Sequence, residues 1–148
     1  GGKASNIQVV NETFASDSIV CYFPFGLVSR KKNGRIQDLF WRRTFINKAK
    51  DYKRDIIPTH IDGKNTNFFY NLSNFRKAIG IKANIEMLFL VDELFKQENA
   101  TLKITFGPVI PYQTFDDRYT SMEWAELVRE YSYKVGKGHT DPFQVPKK

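Results

Sequence analysis

The chain has 148 residues, of which 41% are hydrophobic, 15% aromatic and 26% charged, and its formal net charge is +7. This composition excludes a disordered, collagen-like or low-complexity chain and suffices for one folded domain over residues 1–148. The single cysteine, Cys21, excludes an intrachain disulfide framework and a multi-cysteine zinc site. Its apolar runs are far shorter than the roughly 20 residues of a membrane-spanning helix.

The N-terminal part predicts a helix followed by a buried strand. Apolar residues recur at helical spacing over residues 5–14, and a polar turn ends this helix. The continuous apolar run Ile19–Phe23 is typical of a strand that is buried on both faces, and Pro24 ends it. The same apolar setting predicts that the Cys21 thiol is buried.

The next stretch combines a loop with an amphipathic helix and carries most of the positive charge. Residues 31–35 have loop composition, and apolar side chains recur every three or four positions between residues 40 and 52. Residues 30–54 contain ten basic and two acidic side chains, whereas the rest of the chain has 13 basic and 14 acidic ones. A positive field this local favours an anionic partner: phosphate groups, an acidic carrier protein, an anionic membrane surface or nucleic acid. A solvated helix face is the alternative interpretation.

The rest of the chain alternates strands and helices. The predicted elements are a short strand over 55–61, helices over 68–79 and 85–95, a strand with one buried face over 102–106 and a helix from Thr120 or Ser121. Gly80 provides a left-handed cap for the first of these helices. Residues 137–148 are expected to form a flexible tail.

The order of elements predicts an α/β fold with a mainly parallel sheet flanked by helices. Three strands are few for such a sheet, so strands N-terminal to residue 1 are expected to complete it. The chain also begins with two glycines and no initiating methionine. We therefore interpret it as the C-terminal portion of a larger domain.

The segment Phe23-Pro24-Phe25-Gly26-Leu27-Val28-Ser29-Arg30 carries the clearest chemistry. It leaves a predicted buried strand and enters a glycine turn, and ligands of parallel sheets bind at such strand ends. Gly26 lets backbone N–H groups approach an anion, Ser29 can donate a hydrogen bond, and Arg30 can bind phosphate oxygens in a bidentate way. An ordinary strand-to-loop turn is the alternative interpretation.

This segment resembles the Phe-Pro-Glu-Gly block of the glycerolipid acyltransferases, the family of 1-acylglycerol-3-phosphate acyltransferases. Further blocks resemble the family's bacterial hemolysin-like branch, which includes acyltransferases that make amino-acid-containing lipids. These blocks are residues 56–59, 62–72, 84–88 and 104–111. The resemblance covers roughly residues 5–135 and implies that Phe23, Pro24, Gly26, Ser29 and Arg30 bind the polar part of the acyl acceptor.

Two features depart from the family pattern. Phe25 stands where the broader family has a glutamate, although the hemolysin-like branch tolerates a non-acidic residue there. The family's catalytic motif, a histidine followed five positions later by an aspartate, is also absent, because His60 has Asn65 at that distance and His139 has Gln144. The resemblance therefore implies that the parent protein is an acyltransferase and that this chain alone is inactive, with no catalytic residue of its own.

The resemblance implies transfer of an acyl chain from acyl-carrier protein or acyl-CoA to a lysophospholipid or an amino-acid lipid precursor. It implies no metal and no cofactor, and a cytoplasmic location on the inner face of an anionic membrane. A non-catalytic domain that binds an anionic membrane or nucleic acid is the alternative. Nucleic acid is the weaker partner, because the aromatic residues of the basic helix fall on its apolar face.

Two further features have ordinary structural interpretations. His60 lies on a short apolar strand without metal-ligand spacing around it, so a structural histidine is expected. The aromatic residues of 68–70, together with Phe89 and Phe95, are interpreted as core residues, although part of that surface could line an acyl-chain groove or lie on lipid.

Overall fold

The computed structural model describes residues 2–147, which form two compact units. The first unit comprises the chain up to residue 26, residues 40–60 and the chain from residue 105 onward. The second comprises residues 27–39 and 61–104. The chain therefore leaves the first unit twice and returns to it twice, and Phe23 to Gly26 fall in one unit while Ser29 and Arg30 fall in the other.

Two helices form the core of the first unit. They are α2 (Thr44–Asp51) and α5 (Ser121–Gly136). Their apolar faces meet, with Ile46 and Trp124 fully buried. Thr120 caps α5 in a capping box with Glu123, which resolves the predicted start at Thr120 or Ser121. The predicted helices over 40–52 and from Thr120 are thus confirmed, with a later start for the first.

The C-terminal segment lies on this core. Tyr131 donates a hydrogen bond to the Asp141 carbonyl at 2.7 Å, and Tyr119 donates one to the Pro146 carbonyl at 2.9 Å. Phe143 packs against the core between these bonds. The segment expected to form a flexible tail is therefore attached to the core by both polar and aromatic contacts.

The N-terminal helix α1 (Gly2–Ala15) confirms the first predicted element. Its buried residue Phe14 packs against the rings of Tyr22 and Tyr52, at centroid distances of 6.4 and 6.0 Å. Asn11 accepts a hydrogen bond of 2.6 Å from Lys48 on α2. An aromatic cluster and a polar contact thus attach α1 to the rest of the first unit.

The segment Ile19–Phe23 is not a strand, and the prediction of a strand buried on both faces is wrong. Ile19 is 91% exposed, Phe23 is 75% exposed and Cys21 is exposed. Within residues 2–147 no strand pairs with this segment. A segment without neighbouring strands has no sheet to bury it, so the predicted buried thiol is wrong for the same reason.

The second unit is built around α3 (Asn67–Ala78). Thr66 caps this helix by accepting a hydrogen bond from the Phe69 amide, and Gly80 follows it with a φ of +78°. The predicted helix over 85–95 is present as a 3₁₀ helix, Ile85–Phe89, that runs into the α-helix α4, Leu90–Phe95. The helices predicted in this unit are therefore confirmed.

A β-hairpin stands where the sequence analysis predicts a loop. Its strands are β1 (Arg30–Lys32) and β2 (Arg35–Gln37), which pair antiparallel. Asn33 and Gly34, with φ of 50° and 76°, form the two-residue turn. Asn-Gly is the strongest short-range hairpin signal, because both central residues of this turn type need positive φ.

The remaining strands form a second small sheet. They are β3 (Thr59–Asp62) and β4 (Lys103–Phe106), and an antiparallel bridge between Ile56 and Ile110 lies beyond them. The fold is thus mixed α and β with small antiparallel sheets, and the described residues do not form the expected mainly parallel sheet. The side chains of β4 are largely exposed, so its predicted buried face is wrong.

Candidate functional site

The Gly26 turn of the first unit is contacted by the residues just before α2. The Arg42 amide donates a hydrogen bond of 3.0 Å to the Pro24 carbonyl. This bond brings the Arg42 side chain to the glycine, where a Cβ at position 26 would lie 3.5 Å from Arg42 Nη2. That separation is an ordinary van der Waals distance, so the guanidinium lies directly beside the glycine.

Arg42 is the cation that this turn presents to solvent. Its side chain is exposed, and within residues 2–147 its guanidinium makes no hydrogen bond or ion pair. A free guanidinium has a planar set of donors that matches a carboxylate or a phosphate. The sequence analysis placed Arg42 only within the basic stretch, because nothing local indicates that residue 42 returns to residue 24.

Arg30, the arginine that the sequence analysis selected, lies in the second unit and is buried. Its Nη2 donates to Glu86 Oε1 at 2.9 Å, and its Nη1 donates to the Val28 carbonyl at 3.2 Å. Its guanidinium also lies over the Phe69 ring, 5.8 Å from the centroid. A direct contact between Arg30 and an acceptor would therefore require it to leave Glu86.

Glu86 is the centre of a buried charged cluster. It is fully buried and accepts hydrogen bonds from Arg30 and from Arg76, which is buried as well. Arg76 also binds the side chain of Asn84 and the Ile81 carbonyl. Two guanidinium groups thus share one carboxylate and connect β1, α3 and the 3₁₀ helix.

The electrostatics of this cluster favour the ionised carboxylate. Burial opposes ionisation of Glu86, but the hydrogen bond from Arg76 and the charges of both arginines outweigh burial, so the pKa of Glu86 lies below its ordinary value. Burial lowers the pKa of Arg30 against the attraction of Glu86, and a guanidinium stays protonated in proteins nonetheless. The cluster is therefore an ion pair with one additional positive charge.

The other predicted site residues are distributed between the units. Phe23 projects into solvent and Pro24 is half-buried in the first unit. Ser29, in the second unit, donates a hydrogen bond of 2.6 Å to Asp38 Oδ1. The structure therefore joins Pro24 and Gly26 to Arg42, and joins Arg30 to Glu86.

The two histidines have different surroundings. His60 packs against Gly136 and, at a centroid distance of 5.7 Å, against the ring of Tyr133, while its buried Nδ1 has no hydrogen-bond partner among the described residues. His139 Nδ1 lies 3.9 Å from Asp141 Oδ2 at the surface. Within the part of the chain that the structure describes, no three His, Cys, Asp or Glu side chains are grouped as metal ligands.

The aromatic residues of the basic helix are packed within the first unit. Phe45 is buried, and Trp41 lies edge-to-face against it at 5.9 Å. Tyr52 is half-buried beside Phe14. These rings offer little surface on which nucleic-acid bases could stack.

None of the helices in residues 2–147 has both the length and the apolar composition needed to cross a membrane.

Comparison with known proteins identifies the family. The model of an acyltransferase family matches residues 2–140. Lyso-glycine lipid O-acyltransferases from Bacteroides thetaiotaomicron and Phocaeicola vulgatus are 50% and 46% identical over 128 residues, or 86% of this chain. Those residues are 47% and 46% of the two relatives, so the chain spans about half of their length. No solved structure matches the chain. The chain belongs to the acyltransferase family.

Proposed function

We propose that this chain is the C-terminal, acceptor-binding part of a lipid acyltransferase. The observation that carries the proposal is the free guanidinium of Arg42 held against the Gly26 turn. This turn lies in the segment that resembles the family's acceptor-binding block. Phe23, Pro24, Gly26, Ser29 and Arg30 remain the acceptor-binding residues that the resemblance implies, and Arg42 is added to them.

The acceptor we propose is an amino-acid lipid precursor with a free carboxylate. Both relatives are named for lyso-glycine lipid, and a glycine that is acylated on nitrogen keeps its carboxylate. A planar guanidinium can bind that group through two parallel hydrogen bonds. Because residue 25 is phenylalanine, it provides no carboxylate that would repel the carboxylate of the acceptor. A lysophospholipid phosphate is the other anionic group that the same guanidinium could bind.

The reaction is acyl transfer from a thioester, either acyl-carrier protein or acyl-CoA. The acceptor oxygen attacks the thioester carbonyl, a C–O bond forms, the C–S bond breaks, and the thiol leaves with the proton of the hydroxyl. A general base must accept that proton first. Because no histidine in this sequence has an aspartate five positions later, we propose that the base belongs to another part of the whole protein.

The exposed segment Ile19–Phe23 supports the proposal that this chain is one part of a larger acyltransferase domain. Four of its five residues are β-branched or aromatic and typical of strands, and Ile19 and Phe23 are among the most exposed apolar side chains. We propose that this segment pairs with strands outside the chain, in the mainly parallel sheet that the sequence predicts. The whole protein would act in the cytoplasm on the inner face of an anionic membrane, towards which the basic stretch 30–54 would be attracted.

A chimera tests this proposal. The 128 matched residues of the Bacteroides thetaiotaomicron relative would be replaced by the corresponding residues of this chain, and acylation of lyso-glycine lipid would be measured with both thioester donors. We expect turnover by the chimera and none by the 148-residue chain alone. Turnover by the chain alone would overturn the proposal that the catalytic base belongs to another part of the whole protein.

Arg42→Gln in the chimera tests the acceptor site. Loss of a charge-assisted hydrogen bond of about 1.5 to 3 kcal/mol should lower kcat/KM by roughly 10- to 100-fold. Arg43→Gln, at the exposed neighbour, is the matched control and should stay within about twofold. The effect of Arg42→Gln should disappear with an acceptor whose carboxylate is replaced by a carboxamide. Equal effects on both acceptors would contradict carboxylate binding by Arg42.

A further inference from the structure

The helix α4 and the 3₁₀ helix before it have an inverted amphipathic pattern. Leu88, Val91, Leu94 and Phe95 are 81%, 62%, 70% and 70% exposed. They recur every three or four residues, so they form one outward stripe, which we call the α4 stripe. On the inward side lies Glu93, which is almost completely buried. A helix of a soluble unit normally has the opposite arrangement.

Specific polar contacts fix this orientation. Glu93 accepts hydrogen bonds from the Thr66 amide and from the Thr66 hydroxyl, the latter at 2.7 Å, and Lys96 Nζ lies 3.2 Å from its carboxylate. Burial opposes ionisation of Glu93, but these bonds outweigh burial and keep its pKa below the ordinary value. The carboxylate therefore holds α4 against the N-terminus of α3, and the α4 stripe has to face away from the unit.

The surroundings of the α4 stripe are apolar, and the unit that carries it has an excess of positive charge, although exposed Asp92 and Glu98 lie on the same segment. Phe68, which is half exposed, packs edge-to-face on Phe89 at 5.3 Å, and Lys96 Nζ lies 6.0 Å from the Phe68 ring centroid. Further along α3, Phe75 and Ile79 are exposed on the same helix face as Phe68. Apart from its four buried charges, the second unit has eight basic and four acidic side chains.

We propose that the α4 stripe is a membrane-docking surface that enters the interface of an anionic lipid bilayer. An anionic bilayer fits both properties, because large apolar side chains partition into the headgroup boundary while lysines bind acidic headgroups. The proposal rests on the proposed function, in which the acceptor is a membrane lipid, and it identifies the surface that would bring the chain to that lipid. The cation excess of the second unit as a whole is what favours an anionic lipid surface over a neutral protein groove.

Vesicle co-sedimentation of the 148-residue chain tests this surface. Vesicles would contain either phosphatidylcholine alone or phosphatidylcholine with about 30 mol% phosphatidylglycerol, which makes the second type strongly anionic. We expect binding to the anionic vesicles, weaker binding in 0.5 M salt, where the Debye length falls to about 4 Å, and little binding to neutral ones. The double variant Leu94→Ser/Phe95→Ser should lower the partition coefficient at least about tenfold, since each side chain can contribute over 1 kcal/mol when buried.

The control is Val109→Ser/Met122→Ser, which removes two half-exposed apolar side chains of the first unit and should change binding less than about twofold. Circular dichroism confirms that both double variants fold. Equal binding by wild type and the Leu94→Ser/Phe95→Ser variant would overturn the proposal. It would also be overturned if light scattering showed that the α4 stripe mediates only self-association of the chain. If the wild type binds no anionic vesicle, membrane docking fails as a whole, whereas the acceptor chemistry is judged separately by the chimera.

Discussion

Arg30 and Arg42, in different units, differ in what their guanidinium groups can bind. Arg30 is buried and has a carboxylate partner in Glu86. Arg42 is exposed and lies against Gly26 without such a partner in the described chain. A paired, buried cation stabilises structure, whereas an exposed, unpaired cation is available to an anionic ligand. The division of roles therefore follows from burial and pairing, which residue type alone does not determine.

Glu86→Gln tests the structural role of the buried cluster. The change leaves two buried guanidinium groups without a countercharge, so we expect the free energy of unfolding at pH 7 to fall by about 3 kcal/mol. Urea unfolding followed by circular dichroism measures it. Glu98→Gln, on an exposed glutamate of the same unit, is the control and should change stability by less than about 0.5 kcal/mol. Equal effects of the two variants would contradict the structural role.

The difference in unfolding free energy between the wild type and Glu86→Gln has a defined pH dependence. Because the folded pKa of Glu86 is lowered, its stabilising contribution is complete above the ordinary glutamate pKa of about 4.3 and is lost as the pH falls through the folded value. The stability difference between wild type and Glu86→Gln should therefore shrink towards acid pH. A difference that stays constant between pH 7 and pH 3 would show that Glu86 is not ionised in the folded chain.

At the scale of elements, short polar signals position the helices that hold the site. Thr120 begins α5, whose apolar face packs on α2, and the Arg42 amide, two residues before α2, binds the Pro24 carbonyl. In the second unit, Thr66 caps α3 and also binds Glu93, which turns α4 outward. One threonine thus determines both a helix start and the orientation of the next helix.

Thr120→Ala should destabilise the first unit by about 1 kcal/mol, because the Glu123 amide loses its capping acceptor. Thermal unfolding of the chain measures the change. Ser121→Ala replaces the adjacent hydroxyl, which has no capping role in the structure, and should shift stability by only a few tenths of a kcal/mol. If both variants lose the same stability, the capping box is not what holds the start of α5.

At the scale of the whole molecule, the chain exposes more large apolar residues than its own units can cover. They include Ile19 and Phe23 in the first unit and the α4 stripe in the second. Soluble proteins rarely leave contiguous apolar surface of this kind without a partner. We have proposed different partners for the two surfaces: the remaining strands of the domain for the first and lipid for the second.

Hydrogen exchange tests the first of these partners, the strands proposed to pair with Ile19–Phe23. In the 148-residue chain the amides of Ile19–Phe23 should exchange close to the rate of an unstructured segment, since no strand pairs with them in the described residues. In the acyltransferase chimera they should be protected at least about tenfold, because sheet hydrogen bonds must open before exchange. Amides of α5 provide the internal control, since they should be protected in both proteins. Fast exchange of Ile19–Phe23 in the chimera would contradict strand pairing.

Local patterns in the sequence sufficed for most helices and for the family. Helical spacing and the Gly80 cap predicted α3, and the start of α5 was predicted at Thr120 or Ser121, because these signals lie within a few residues along the chain. The resemblance at residues 23–30 and in the later blocks agreed with the family model over residues 2–140. The hairpin at Asn33-Gly34 was predictable too, but the basic residues around it favoured a loop.

The tertiary structure decided what depends on distant partners. The Arg30–Glu86 pair joins residues 56 positions apart, and Arg42 reaches Pro24 over 18 positions, so no local pattern indicates which arginine is free. The same holds for Ile19–Phe23, whose apolar run indicates a strand whether or not a neighbouring strand is present. Burial is a property of the surroundings, whereas secondary-structure preference is a property of the segment. The sequence by itself therefore determined the helices and the family, and only the tertiary structure decided which charges are paired and which apolar surfaces are exposed.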